Sequence, residues 1–103
     1  MITIGNQRHG ARGIYVGRPS PLGNPFVLRS ETERATVIRA YARWLSEQLR
    51  DEGSPASREL ARLVRLARTQ DICLVCWCAP KACHAAVIKR LIEAINASAA
   101  RHP

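Results

Sequence analysis

Two segments of the 103-residue chain concentrate side chains that can do chemistry. The first is Cys76-Trp77-Cys78-Ala79-Pro80-Lys81-Ala82-Cys83-His84. Cys78 closes an apolar run and Cys83-His84 opens a helical pattern, so the segment reads as strand, turn, helix. The first amides of a helix lack intrahelical partners and carry partial positive charge, so an anion docks there. A cysteine at that place has a depressed pKa, more so beside Lys81 and His84. Two chemistries follow. One is an anion-binding turn that includes Pro80 and Lys81. The other is a thiolate site in which Cys83 or Cys78 is the nucleophile and His84 the acid–base group. The structural alternative is a set of small buried residues packing a tight turn.

The same segment raises the question of zinc. Cys76, Cys78, Cys83 and His84 are suitable ligand types, with His9 as a fifth. Their spacing lacks the usual paired Cys-x-x-Cys knuckle, and adjacent Cys83 and His84 diverge on a helix. The sequence therefore predicts neither metal nor other cofactor. A zinc-stabilised interaction domain is kept as an alternative.

The second segment is Gly17-Arg18-Pro19-Ser20-Pro21-Leu22-Gly23-Asn24-Pro25-Phe26. It follows a strand as a phosphate loop does, but it is neither a Walker nor a dinucleotide fingerprint. Arg18 offers a planar fork to phosphate or carboxylate. Ser20 and Asn24 offer orienting hydrogen bonds, and Phe26 offers a ring to stack on a base or to plug the core. Gly17 and Gly23 let the backbone turn tightly and approach a ligand. Turn chemistry alone is the structural alternative.

Positioning these segments requires a sheet and helices. Ile2–Gly5 and Gly13–Gly17 read as strands. Ser30 with Glu33 reads as a capping box before a helix whose stripe is Ile38, Tyr41, Ala42, Leu45 and Leu49. Asp51–Pro55 ends it, and Ser54 caps a second helix with Pro55 at its first position. Leu60, Leu63, Val64 and Ala67 form the buried face of that helix. Ile72–Cys78 is apolar without alternation, as suits a central parallel strand covered on both faces. A last helix starts near Cys83 and buries Val87, Ile88, Leu91, Ile92 and Ile95. The order β-β-α-α-β-α predicts one small α/β domain over residues 1–96, with a short, mostly parallel, Rossmann-like sheet flanked by about three helices. Residues 97–103 read as a flexible tail. Ligands are expected at the carboxyl ends of the strands.

Composition narrows the classes. With 47% apolar residues the chain has a core to bury. No apolar run reaches the roughly 18 residues of a membrane span. With no charged-then-apolar start, the expected place is the cytoplasm and the expected state of Cys73, Cys76, Cys78 and Cys83 is reduced. The net charge of +8 favours anionic partners. Arg58, Arg62, Arg65 and Arg68 share one helix face, which reads either as solvated or as tracking nucleic-acid phosphates. An arginine and alanine bias is also what a GC-rich genome produces.

Together, the motifs Gly17-Arg18-x-Ser20-x-x-Gly23-Asn24-Pro25-Phe26 and Cys76-Trp77-Cys78-Ala79-Pro80-x-x-Cys83-His84 resemble domain-of-unknown-function family 4326. The resemblance runs from about Ile14 to Ile95 and implies relatives in bacteria and phages. It supplies a pattern and no mechanism. The family often carries an acidic residue two positions after the Cys-His pair, where this chain has Ala86. The leading expectation is binding, with processing left open, of a nucleotide or other anionic phosphorylated small molecule. The alternative partner is nucleic acid on the arginine face. The residues alone do not decide whether catalysis occurs.

Overall fold

The computed structural model describes the chain apart from residues 11, 79, 80, 82, 102 and 103 and the side chains of His9 and Arg101. Pro80 and the His9 imidazole, both singled out above, therefore lie outside the described residues.

Three strands, β1 (Ile2–Asn6), β2 (Ile14–Tyr15) and β3 (Ile72–Cys76), form one sheet. All pair in parallel, in the order β1-β3-β2. The strand latest in sequence takes the centre because its residues are apolar on both faces. Leu74, Val75 and Cys76 are all buried. The register sets Ile2 opposite Ile72, Asn6 opposite Cys76, and Tyr15 opposite Val75. The strands thus finish nearly level, with Asn6, Val16 and Cys76 at one edge. Gly13 lets β2 come close: a Cβ there would lie 2.4 Å from the carbonyl oxygen of Cys73.

The helices are α1 (Arg34–Gln48), α2 (Pro55–Ala67) and α3 (His84–Arg101). Helix α3 packs on β1 and β3, and α1 and α2 pack on α3 and on each other. The core unites all of them through Leu22, Tyr41, Leu45, Leu63, Leu74, Ile88 and Ile92, each at most 1% exposed. Among the described residues this is a small α/β domain with three α-helices and a parallel sheet. No described helix is long and apolar enough to cross a membrane.

The joint between α1 and α2 follows the sequence pattern. Ser54 Oγ accepts from the Ser57 amide, and Pro55 occupies the first turn. The hydroxyls of Ser54 and Ser57 both donate to the Gln48 carbonyl, satisfying an orphan acceptor at the end of α1.

Two local expectations are corrected. Ser30 and Glu33 form no capping box. Residues Glu31–Glu33 make a single 3-10 turn, no side chain caps it, and Ser30 Oγ pairs with Thr32 Oγ1 at 2.8 Å. A neighbouring hydroxyl has taken the capping oxygen. Helix α3 also continues to Arg101, through positions assigned to a tail. The exposed stretch Ala97–Ala100 is rich in alanine, which propagates a helix already nucleated by packing.

Candidate functional site

The level carboxyl edge of the sheet is where the two chemical segments meet. After β2, the Val16 amide donates to the Val75 carbonyl at 2.9 Å, prolonging the pairing by one residue. The Val16 carbonyl then accepts from His84 Nε2 at 2.7 Å. A carbonyl can only accept, so the proton sits on Nε2. The imidazole is buried and meets the Tyr41 ring edge-on, 5.0 Å between centroids. His84 thereby locks the start of α3 to the end of β2.

The loop after Val16 folds tightly on itself. The Ser20 amide donates to Gly17 O and the Gly23 amide to Ser20 O, which are two successive turns. The Arg18–Pro19 peptide is cis. Gly23 lies against Arg18, where a Cβ would approach its Cα to 2.9 Å. At Gly17 a Cβ would meet Tyr15 Oη at 2.4 Å. That hydroxyl donates to the Arg18 carbonyl and accepts from Trp77 Nε1. Leu22 is fully buried, and its carbonyl accepts from Tyr41 Oη at 2.7 Å. Burial raises the Tyr41 phenol well above its ordinary range, so it stays a donor. Asn24 turns inward on its own loop, its Oδ1 accepting from the Phe26 amide.

One pocket of about 160 Å³ opens at this edge. Gly17, Arg18, Asn24, Phe26, Cys78, Cys83 and His84, all expected from the sequence, line it. Ser20, Gly23 and Lys81 do not. Ser20 and Gly23 shape the loop, and the buried Ser20 Oγ has no partner among the described residues. Lys81 pairs with Glu31 at 3.3 Å.

Arg34, in the first turn of α1, was not anticipated and forms a wall of the pocket. Glu31 holds its guanidinium by two hydrogen bonds of 2.8 Å, a fork on a carboxylate. Arg34 also hydrogen-bonds Cys78, and its side chain is only 17% exposed. The one sequence signal was the acid–arginine pair three residues apart.

Arg34 chiefly, with Lys81 adding, lowers the Glu31 carboxyl from 4.5 to about 2. A folded value below the ordinary one stabilises the fold above about pH 4.5, and that contribution fades as the pH falls toward 2. Glu31 is exposed, so the worth of the pair is small and screened by salt. The stability deficit of a Glu31→Gln variant is thus expected at neutral pH, to shrink in acid, and to shrink in high salt. Denaturant titrations of both proteins across that range check this, and a deficit independent of pH would refute it.

The cysteines run against a further expectation. All four are free. Cys76 Sγ and Cys83 Sγ are 3.2 Å apart and buried. The Cys83 thiol is raised, first by its hydrogen bond with Cys76 and then by burial. The Ala85 amide at the head of α3 acts to lower it, as the helix start predicts, but is outweighed. A thiolate nucleophile at Cys83 is therefore disfavoured. Among the described residues, no group of three or more His, Cys, Asp or Glu side chains is arranged to hold a metal ion.

Trp77 follows β3 directly and is 52% exposed. Its carbonyl accepts from Asn6 Nδ2, so both neighbouring strands hold it. With Phe26, 39% exposed, it rims the pocket.

A parallel sheet with a pocket across its carboxyl ends, walled by arginine and rimmed by aromatic rings, defines a small α/β domain with its cleft where such folds carry ligands. The family model described as "Domain of unknown function (DUF4326)" matches residues 4–94, and the chain belongs to that family. No curated protein and no solved structure matches the chain significantly.

Proposed function

We infer that the pocket binds the phosphorylated end of a nucleotide or related small molecule. The observation that carries this reading is the convergence of Arg18, the Arg34 guanidinium, which Glu31 orients through Nε and Nη2, and the head of α3 on one apolar-rimmed cavity. Arginine forks match phosphate oxygens in pairs, and a helix start adds its own amides. Phe26 and Trp77 are rings on which a base can lie.

Size refines the reading. Sites for whole drug-sized ligands run to about 300–1,000 Å³. The pocket here is about 160 Å³ and open on one side. It takes one fragment, such as a phosphate, and the rest extends across the rim. The Cys83 thiol, raised by its bond with Cys76 and by burial, favours binding over nucleophilic attack from that sulfur. The arginine face of α2 fits nucleic acid less well. Arg58 donates twice to the Gly53 carbonyl, Arg62 to Glu59, and Arg68 to Asn96.

A thermal-shift screen against nucleotides, nucleosides and inorganic phosphate tests this. A ligand at a hundredfold excess over its dissociation constant adds about 2.7 kcal/mol of stability. The expected result is a shift for phosphorylated compounds that nucleosides do not give and that Arg18→Ala reduces. Equal shifts for nucleosides and nucleotides, or none at all, would overturn it.

A further inference from the structure

We propose that the carboxyl edge of the sheet is a platform for single-stranded nucleic acid, which delivers one of its phosphates to the pocket. This deepens the reading above and rests on it.

The first observation is Trp77. Half of the indole is open to water, and this ring is braced rather than loose. Its N–H is spent on Tyr15 Oη, and its carbonyl is held by Asn6. Both bracing residues end the strands beside β3. The ring is thus a preset stacking surface at the middle of the edge. Stacking on an aromatic ring is the sequence-tolerant way to hold an unpaired base.

The second observation is the arginines on either side. Arg8 follows β1, and its amide donates to the same Asn6 that holds Trp77. Arg18 follows β2, and its carbonyl accepts from the same Tyr15 that holds the indole. Neighbouring strands lie about 4.8 Å apart, so the chain leaves β1 and β2 within about 10 Å, with Trp77 between. Both arginines are exposed. The order across the edge is cation, ring, cation.

The third observation is where the acids are. Residues 1–30 carry Arg8, Arg12, Arg18 and Arg29 and no Asp or Glu. Residues 72–92 carry Lys81, Lys89 and Arg90 and again no acid. These two segments supply every strand end at the edge. Asp71 sits at the opposite, amino edge, on the N-terminal ammonium. Glu31 lies on the pocket side, and there it faces both Arg34 and Lys81. A polyanion therefore meets a predominantly basic face. The small cavity points the same way, since a strand lies across the rim while one phosphate enters.

The test uses the intact protein and labelled oligothymidylate and oligouridylate of about 16 nucleotides, with a duplex of equal length. Fluorescence anisotropy at several salt concentrations gives the affinities. The single strands are expected to bind more tightly than the duplex. Trp77→Ala should weaken them by about 5- to 150-fold, the loss of one stacked base, and Trp77→Phe should restore much of it. Arg8→Ala, outside the pocket lining, should lower the slope of log affinity against log salt by about 0.7. Arg58→Ala, on α2, should change neither. Equal affinity for the duplex, or full single-strand binding by Trp77→Ala, would overturn the proposal. Mononucleotide binding to the Arg8→Ala protein is measured in parallel and reports on the pocket alone. If it persists while single strands gain nothing over duplex, the platform is wrong and the pocket reading stands.

Discussion

Tyr41→Ala is expected to cost about 3–5 kcal/mol of folding stability, the range for deleting a large buried ring. A domain of this kind has about 5–15 kcal/mol in total, so the variant approaches the threshold of folding. The size of the effect follows from what Tyr41 joins. It is fully buried in α1, packs on Trp44 and on the His84 ring, and donates to the carbonyl of buried Leu22. One side chain thus links α1, the start of α3 and the loop bearing Arg18. Tyr41→Phe keeps the ring and strands the Leu22 carbonyl, at about 1–3 kcal/mol. Its ligand affinity should fall too, because the loop loses its anchor. Urea titrations of the three proteins measure the stability terms. A cost for Tyr41→Ala below that of Tyr41→Phe would refute this account of the core.

How much of this was readable beforehand depended on the distance over which each signal acts. The apolar run at Ile72–Cys76, the prolines and glycines of residues 17–25, and the helical stripes are local, and they placed the strands, the loop and the helices. The convergence of two segments at one sheet edge followed from parallel strand order, which the apolar β3 run implied. Signals that need a distant partner were not readable. Arg34 looked like any helix-surface arginine, and only the docking of α1 puts its guanidinium beside Cys78. The rule that a helix start acidifies a thiol was sound locally, yet Cys76 across the turn reversed its outcome at Cys83. Trp77 read as part of an apolar strand, whereas the strand stops at Cys76 and the indole turns out to Tyr15. The capping box failed because Thr32, between its two members, offered Ser30 a nearer partner.

Those distant pairings are also where substitution should matter most for binding, and Arg34 is the sharpest case. Arg34→Ala is expected to weaken phosphorylated ligands by about 10- to 150-fold, the worth of one charge-assisted hydrogen bond at about 1.5–3 kcal/mol. The loss should be larger than for Arg18→Ala. The Arg34 side chain is largely buried and already oriented by Glu31, so little entropy is lost when it engages a ligand. Arg18 is exposed and must be ordered on binding. Arg34→Lys keeps the charge without the fork and should recover only part of the affinity. Glu31→Gln removes the charge that aims the guanidinium and should fall between the parent and Arg34→Ala. Calorimetric titration with the best ligand from the thermal screen orders the four variants. A ranking in which Arg34→Ala binds as well as the parent would remove Arg34 from the site and leave the loop arginine as the anion's partner.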